Sequence, residues 1–179
     1  MEFVWQAWEG FGAEYVDVEG TEANGTFIRV ILDKPLRVDY AVRWDADWRT
    51  LYVEVRCGRR RIALDTLPPG CIDVDIMAVT FTNTLPIHRL RLPIGESREI
   101  RAAFITVPEL EVQVARQRYT RLAENEYRYE GVDTGFTAVL TVDGGGIVVD
   151  YPQLSRRVIL PPLGNSEETR FVDKNPIGA

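Results

Sequence analysis

The chain has 179 residues, enough for one domain with a substantial core. Its 21 Lys and Arg against 27 Asp and Glu leave a formal net charge of −6, which argues against a nucleic-acid backbone as its partner, since that affinity rests on neutralising phosphates, and leaves room only for a small local basic patch. One histidine, His88, and two cysteines, Cys57 and Cys71, cannot assemble a structural zinc or facial-triad iron site, and no run approaches the roughly 18 apolar residues of a membrane-spanning helix.

The opening Met1-Glu2-Phe3-Val4-Trp5-Gln6 has no charged segment leading into a long apolar stretch, and the cysteines form no C-x-x-C pair. They read as reduced thiols in a cytoplasmic protein. From residue 26 onward the dominant period is two. Thr26 to Asp33 alternates, and the clearest run places Leu36, Val38, Tyr40, Val42 and Trp44 on one face against Arg37, Asp39, Ala41, Arg43 and Asp45. After Asp45-Ala46-Asp47, a natural tight connection, Leu51, Val53, Val55 and Cys57 continue on one face, which predicts a hairpin. Further alternation runs over 59–65, 98–107, 110–122, 126–130, 134–143 and 146–151. Turn signals punctuate these runs at Glu19-Gly20, Asn24-Gly25, Leu67-Pro68-Pro69-Gly70, Pro93-Ile94-Gly95 and Asp143-Gly144-Gly145-Gly146. One short helix is predicted over 82–92, with Thr82, Asn83 and Thr84 available as caps, Pro86 in the first turn and Pro93 as the stop. Residues 161–179 lack periodicity and read as a Pro- and Gly-rich tail, leaving 1–160 as a single domain. The fold class is mainly β, and a sandwich, a closed barrel and a rolled sheet all remain open.

Cys71-Ile72-Asp73-Val74-Asp75-Ile76 sets two carboxylates on one strand face, their Cα atoms roughly 6.6 Å apart. Such a pair suits acid–base work on a glycosidic bond, or hydrogen bonding to nearby loops. His88 titrates near neutrality but has no recognisable partner, and no serine stands in a nucleophile elbow. Asp143-Gly144-Gly145-Gly146-Ile147 matches neither phosphate-loop motif, so a hairpin turn is expected and no cofactor or metal is implied. Arg59-Arg60-Arg61 and Arg116-Gln117-Arg118 are local basic patches able to engage phosphate, or outward strand faces. Tyr127 and Tyr129 share a face, with Tyr119 and Tyr151 on nearby strands; such rings suit sugars and amphiphiles, and equally a β core.

Gly70-Cys71-Ile72-Asp73-Val74-Asp75, Phe81-Thr82-Asn83-Thr84-Leu85-Pro86-Ile87-His88-Arg89-Leu90, Arg116-Gln117-Arg118-Tyr119, Tyr127-Arg128-Tyr129 and Val149-Asp150-Tyr151-Pro152 follow one another in an order that resembles the family described as putative glycolipid-binding, formerly a domain of unknown function. The resemblance runs from about Trp8 to Val158. The sequence departs from the family pattern at Val79-Thr80, where Thr-Pro is usual, and at His88, where Arg is usual. The resemblance implies a spiral β-roll, a long antiparallel sheet wrapped around one short helix, distantly similar to bacterial carriers that shuttle lipoproteins. It implies non-enzymatic binding or transport of a glycolipid or other amphiphile. Candidate ligand-binding residues are Asp73, Asp75, Asn83, Arg89, Gln117, Arg118, Tyr119, Tyr127 and Tyr129. The alternatives are a hydrolase using Asp73 and Asp75, and a ligand-free module that forms a homodimer through its sheet edges.

Overall fold

In a computed structural model, which describes residues 1–31 and 33–159, the alternation becomes thirteen strands of one sheet. The expected tail, 161–179, lies outside the described residues. In chain order the strands are β1 (Glu2–Ala7), β2 (Gly12–Glu19), β3 (Glu22–Ile31), β4 (Lys34–Trp44), β5 (Thr50–Cys57), β6 (Arg60–Leu64), β7 (Asp73–Ile76), β8 (Ser97–Ile105), β9 (Val112–Ala123), β10 (Glu126–Gly131), β11 (Phe136–Val142), β12 (Val148–Tyr151) and β13 (Ser155–Arg157). A 3₁₀ turn (Phe81–Asn83) leads into the helix α1 (Thr84–Leu90). Across the sheet the order is β6-β5-β4-β3-β2-β1-β13-β12-β11-β10-β9-β8-β7, antiparallel at each step except β7 beside β8.

Where the alternation is strictest it is largely realised, although Leu51, expected on the buried face of β5, lies at the start of the strand and is exposed. Val38, Tyr40, Val42 and Trp44 of β4 and Val53, Val55 and Cys57 of β5 are buried, while Arg37, Arg43 and Arg56 face water. The β4–β5 hairpin turns through Asp45, whose Oδ1 accepts hydrogen bonds from the amides of Asp47 and Arg49, each at 2.9 Å. Three strands, β1, β2 and β13, carry too little alternation to be read from sequence.

Asn24-Gly25 is not a turn. It lies inside β3, where Gly25 faces Tyr40 across the ladder, and a Cβ there would overlap the Tyr40 ring. The glycine makes room for Tyr40 to cross β3 and donate its hydroxyl to buried Glu14 on β2, at 2.7 Å. The helix also departs from expectation at both ends. No side chain caps its start, since the Asn83 amide donates instead to the Thr80 carbonyl; it stops at Leu90 because Arg91 turns left-handed at φ 46°, before Pro93 is reached.

The sheet rolls up as a spiral and does not close as a barrel. Its two ends meet where the Thr50 amide donates to the Ile72 carbonyl, 3.0 Å away, just before β7. The inner stretch of the β7–β8 end is tucked inside and shared between two cores: Val74, Ile76 and Ile105 belong to the core under β1 to β5, and Ile100 belongs to the core under β9 to β12. The helix divides these cores, with Phe81 and Leu85 in the first and Ile87 in the second. Burying side chains of this size stabilises the fold by about 1.5–3 kcal/mol each. The helix therefore does for the roll what a second sheet does for a sandwich.

Candidate functional site

The two carboxylates of β7 sit on the face turned toward the helix, and each takes a different fate. Asp73 is buried and gripped by Arg89 of α1, whose Nε donates to Oδ1 at 2.9 Å and Nη2 to Oδ2 at 2.6 Å. Burial raises the Asp73 pKa and the guanidinium opposes that rise. Two residues on, Asp75 accepts a hydrogen bond from Gln117 Nε2 of β9 at 2.6 Å and a long one from Thr82 Oγ1 at 3.5 Å. Neutral amide and hydroxyl donors offset its desolvation only in part, and burial pushes its pKa up to about 6.

Asp75 forms part of the floor of a cleft of about 360 Å³. Gln117 and Asn83 line it beside Asp75, and Tyr129, Tyr151 and, from the start of β11, Phe136 line it as well. Tyr129, Phe136 and Tyr151 make an aromatic wall, with ring centroids 6.1 to 6.4 Å apart. Among the described residues neither the Tyr129 nor the Tyr151 hydroxyl has a hydrogen-bond partner. Burial, and the charge of nearby Asp75, raise both phenol pKa values, so both hydroxyls remain donors throughout the neutral range. Tyr119 differs. It is buried beneath the floor, edge-on to Tyr129 at 5.4 Å, and donates to Asn83 Oδ1 at 2.9 Å. It fixes the Asn83 side chain at the end of the 3₁₀ turn.

The structure thus brings together Asp75, Asn83, Gln117 and Tyr129, with Tyr119 in support. Asp73 and Arg89 line a neighbouring cleft instead. Tyr127 is buried in the second core beside Leu140, and Arg121 lies over its ring. Arg118 points to the other face of β9, where it pairs with Glu99 at 3.1 Å and Glu130 at 3.7 Å. Phe136 and Thr82 were not singled out for the site by sequence. Phe136 lies in the alternating run 134–143 and shares its phase with Ala138, Leu140 and Val142, so by periodicity it reads as one more core residue.

The remaining chemical candidates are absorbed by the architecture. The His88 ring stacks on Trp48, and its Nε2 lies 2.8 Å from the Gly145 carbonyl in the glycine-rich turn. That turn closes on itself through Asp143, whose Oδ1 accepts from the amides of Gly145 and Ile147. Among the described residues, no group of three or more His, Cys, Asp or Glu could hold a metal, and no helix is long and apolar enough to cross a membrane.

The model of the family described as putative glycolipid-binding matches residues 2–157. A crystal structure of a DUF1089 family protein from Pseudomonas aeruginosa is similar with a TM-score of 0.77 at 36% identity, over 84% of this chain and 94% of that one. No curated protein matches the chain.

Proposed function

The chain belongs to the family described as putative glycolipid-binding, and from that premise we propose that it binds the sugar-bearing head group of an amphiphile in the Asp75 cleft, without catalysing a reaction. The observation that carries this reading is a carboxyl group beside an aromatic wall in which two of the three rings are phenols with no hydrogen-bond partner among the described residues. Sugar hydroxyls need both acceptors and donors, and the flat apolar faces of sugar rings pack on aromatic plates. Met77, Ala78, Val79 and Leu154 line the same cleft and supply apolar surface for the start of an acyl chain. The centre of the roll is taken up by α1 and the two cores, so the proposal puts the ligand in this cleft and not along the roll axis.

The geometry favours binding over a two-carboxylate hydrolase, because both Asp73 oxygens are held by Arg89, and Asp133, the other carboxylate lining the cleft beside Asp75, is held through both oxygens by the amide and guanidinium of Arg116. The test is a calorimetric titration with octyl glucoside below its micelle concentration, beside methyl glucoside and octanol as its two halves. Octyl glucoside is expected to bind more tightly than either half, and Tyr129→Phe to weaken it. Octanol binding as tightly as octyl glucoside, with no effect of Tyr129→Phe, would overturn the head-group assignment. Transfer of bound glycolipid between vesicles is the further step a carrier performs, and wild-type protein is expected to accelerate it.

A further inference from the structure

A second cleft opens at the opposite end of β7, away from Asp75. Strand β7 begins at Asp73, opposite Ala102, whereas β8 begins at Ser97. The β8 edge over 97–101 therefore extends beyond its partner and leaves a notch of about 480 Å³, lined by Asp73, Arg89, Arg98 and Arg101. An adjoining cleft of about 320 Å³ shares Ile72 and Arg89 with it and adds Arg49 and Arg91. In a chain of net charge −6, five guanidinium groups gather at one place.

Their pairing is as informative as their number. Arg49, Arg91, Arg98 and Arg101 are exposed, and none makes an ion pair or a side-chain hydrogen bond to another described residue. Arg89 spends only Nε and one Nη2 hydrogen on Asp73, which leaves three N–H donors on a guanidinium whose position is fixed by a buried carboxylate. The acidic neighbours do not fill the need. Glu99 is engaged by Arg118 at 3.1 Å and Arg116 at 3.8 Å, and Asp47, the one carboxylate lining the adjoining cleft, makes no ion pair with Arg49 or Arg91 among the described residues.

We propose that this notch binds a phosphate or sulfate group, with Arg89 as its fixed donor, Arg98 and Arg101 closing around the anion, and Arg91 reaching it from the adjoining cleft that Arg89 also lines. Planar guanidinium forks meet tetrahedral oxyanions through paired charge-assisted hydrogen bonds, and a guanidinium held in place loses little entropy in doing so. The site is separate from the Asp75 cleft and does not depend on it.

The test is titration of wild-type protein with inorganic phosphate and with pyrophosphate at low salt, alongside co-sedimentation with phosphatidic acid vesicles and with phosphatidylcholine vesicles. Arg91→Gln and Arg101→Gln change exposed side chains and leave the Asp73–Arg89 pair intact. Each is expected to weaken binding about tenfold, while Arg59→Gln, an exposed control, and Asp75→Asn leave it unchanged. Saturable phosphate binding without vesicle binding identifies a soluble anion. Arginine-dependent binding to phosphatidic acid vesicles, but not to phosphatidylcholine, identifies a lipid head group. Absence of saturable binding in both assays, or equal binding by wild type and the Arg91→Gln/Arg101→Gln double variant, overturns the proposal.

Discussion

The rings of Trp48 and His88 lie face to face, 3.9 Å between centroids and 8° between planes, and fasten the helix inside the roll to the β4–β5 loop. Trp44 extends the stack beyond Trp48, and the Gly145 carbonyl meets His88 at Nε2 on the ring edge, so one imidazole ties together three separate parts of the spiral. Burial is the main cause lowering the His88 pKa below 6.5, with the Gly145 carbonyl opposing it. The folded state therefore prefers the neutral ring. Its contribution to stability is complete above about pH 6.5 and is lost as pH falls through that value and the lower folded pKa. His88→Ala is expected to cost about 1–2 kcal/mol at pH 7.5. The gap between wild type and variant, measured by urea denaturation, narrows at pH 5.

Asp75 behaves in the opposite sense. Its folded pKa of about 6 stands above the ordinary 3.8, so native protein holds the proton more tightly and stability falls as pH rises from about 4 to 6. Asp75→Asn is expected to raise stability at pH 7.5 by on the order of 1–3 kcal/mol and to leave it unchanged near pH 4. The same variant weakens octyl glucoside binding. Denaturation curves at the two pH values check the sign.

Tyr129→Phe and Tyr151→Phe remove hydroxyls that have no partner among the described residues. Stability is expected to stay within about 0.5 kcal/mol of wild type while head-group affinity falls. Tyr119→Phe breaks the 2.9 Å bond to Asn83 and is expected to cost about 1 kcal/mol or more. Thermal denaturation of the three variants separates cleft residues from their support.

Gly25→Ala places a methyl group in the Tyr40 ring and is expected to destabilise by about 1–3 kcal/mol. Gly144→Ala has nothing within 4 Å of the new Cβ and no positive φ to violate, so it serves as the neutral comparison. Chemical denaturation distinguishes them.

Much of the fold was legible because burial on one face imposes period two, as in β4 and β5, and because a single helical period stood between Thr82 and Pro93. The two carboxylates, and Gln117 beside them, were legible by phase along their strands. What escaped has a common physical cause: it depends on partners distant in sequence. Nothing in the weakly alternating segment around Glu14 marks it, yet it accepts from Tyr40 and from the amides of Thr80 and Phe81 in the buried interior. Gly25 reads as turn chemistry because asparagine–glycine is a hairpin signal, and only the Tyr40 ring across the ladder explains it. Arg118 and Gln117 are adjacent in sequence, and the pleat sends them to opposite faces. Asp73 and Asp75 share a face, and only the position of Arg89 on α1 separates an ion pair from a free acid.

The most direct test of the account is residue-level NMR mapping of octyl glucoside on the folded protein, below the micelle concentration. The account predicts saturable shifts at Asp75, Asn83, Gln117, Tyr129, Phe136 and Tyr151, with Tyr127 and Arg118 unmoved. Saturable shifts elsewhere on the roll with these six unaffected, or no saturable shift at all, would contradict it.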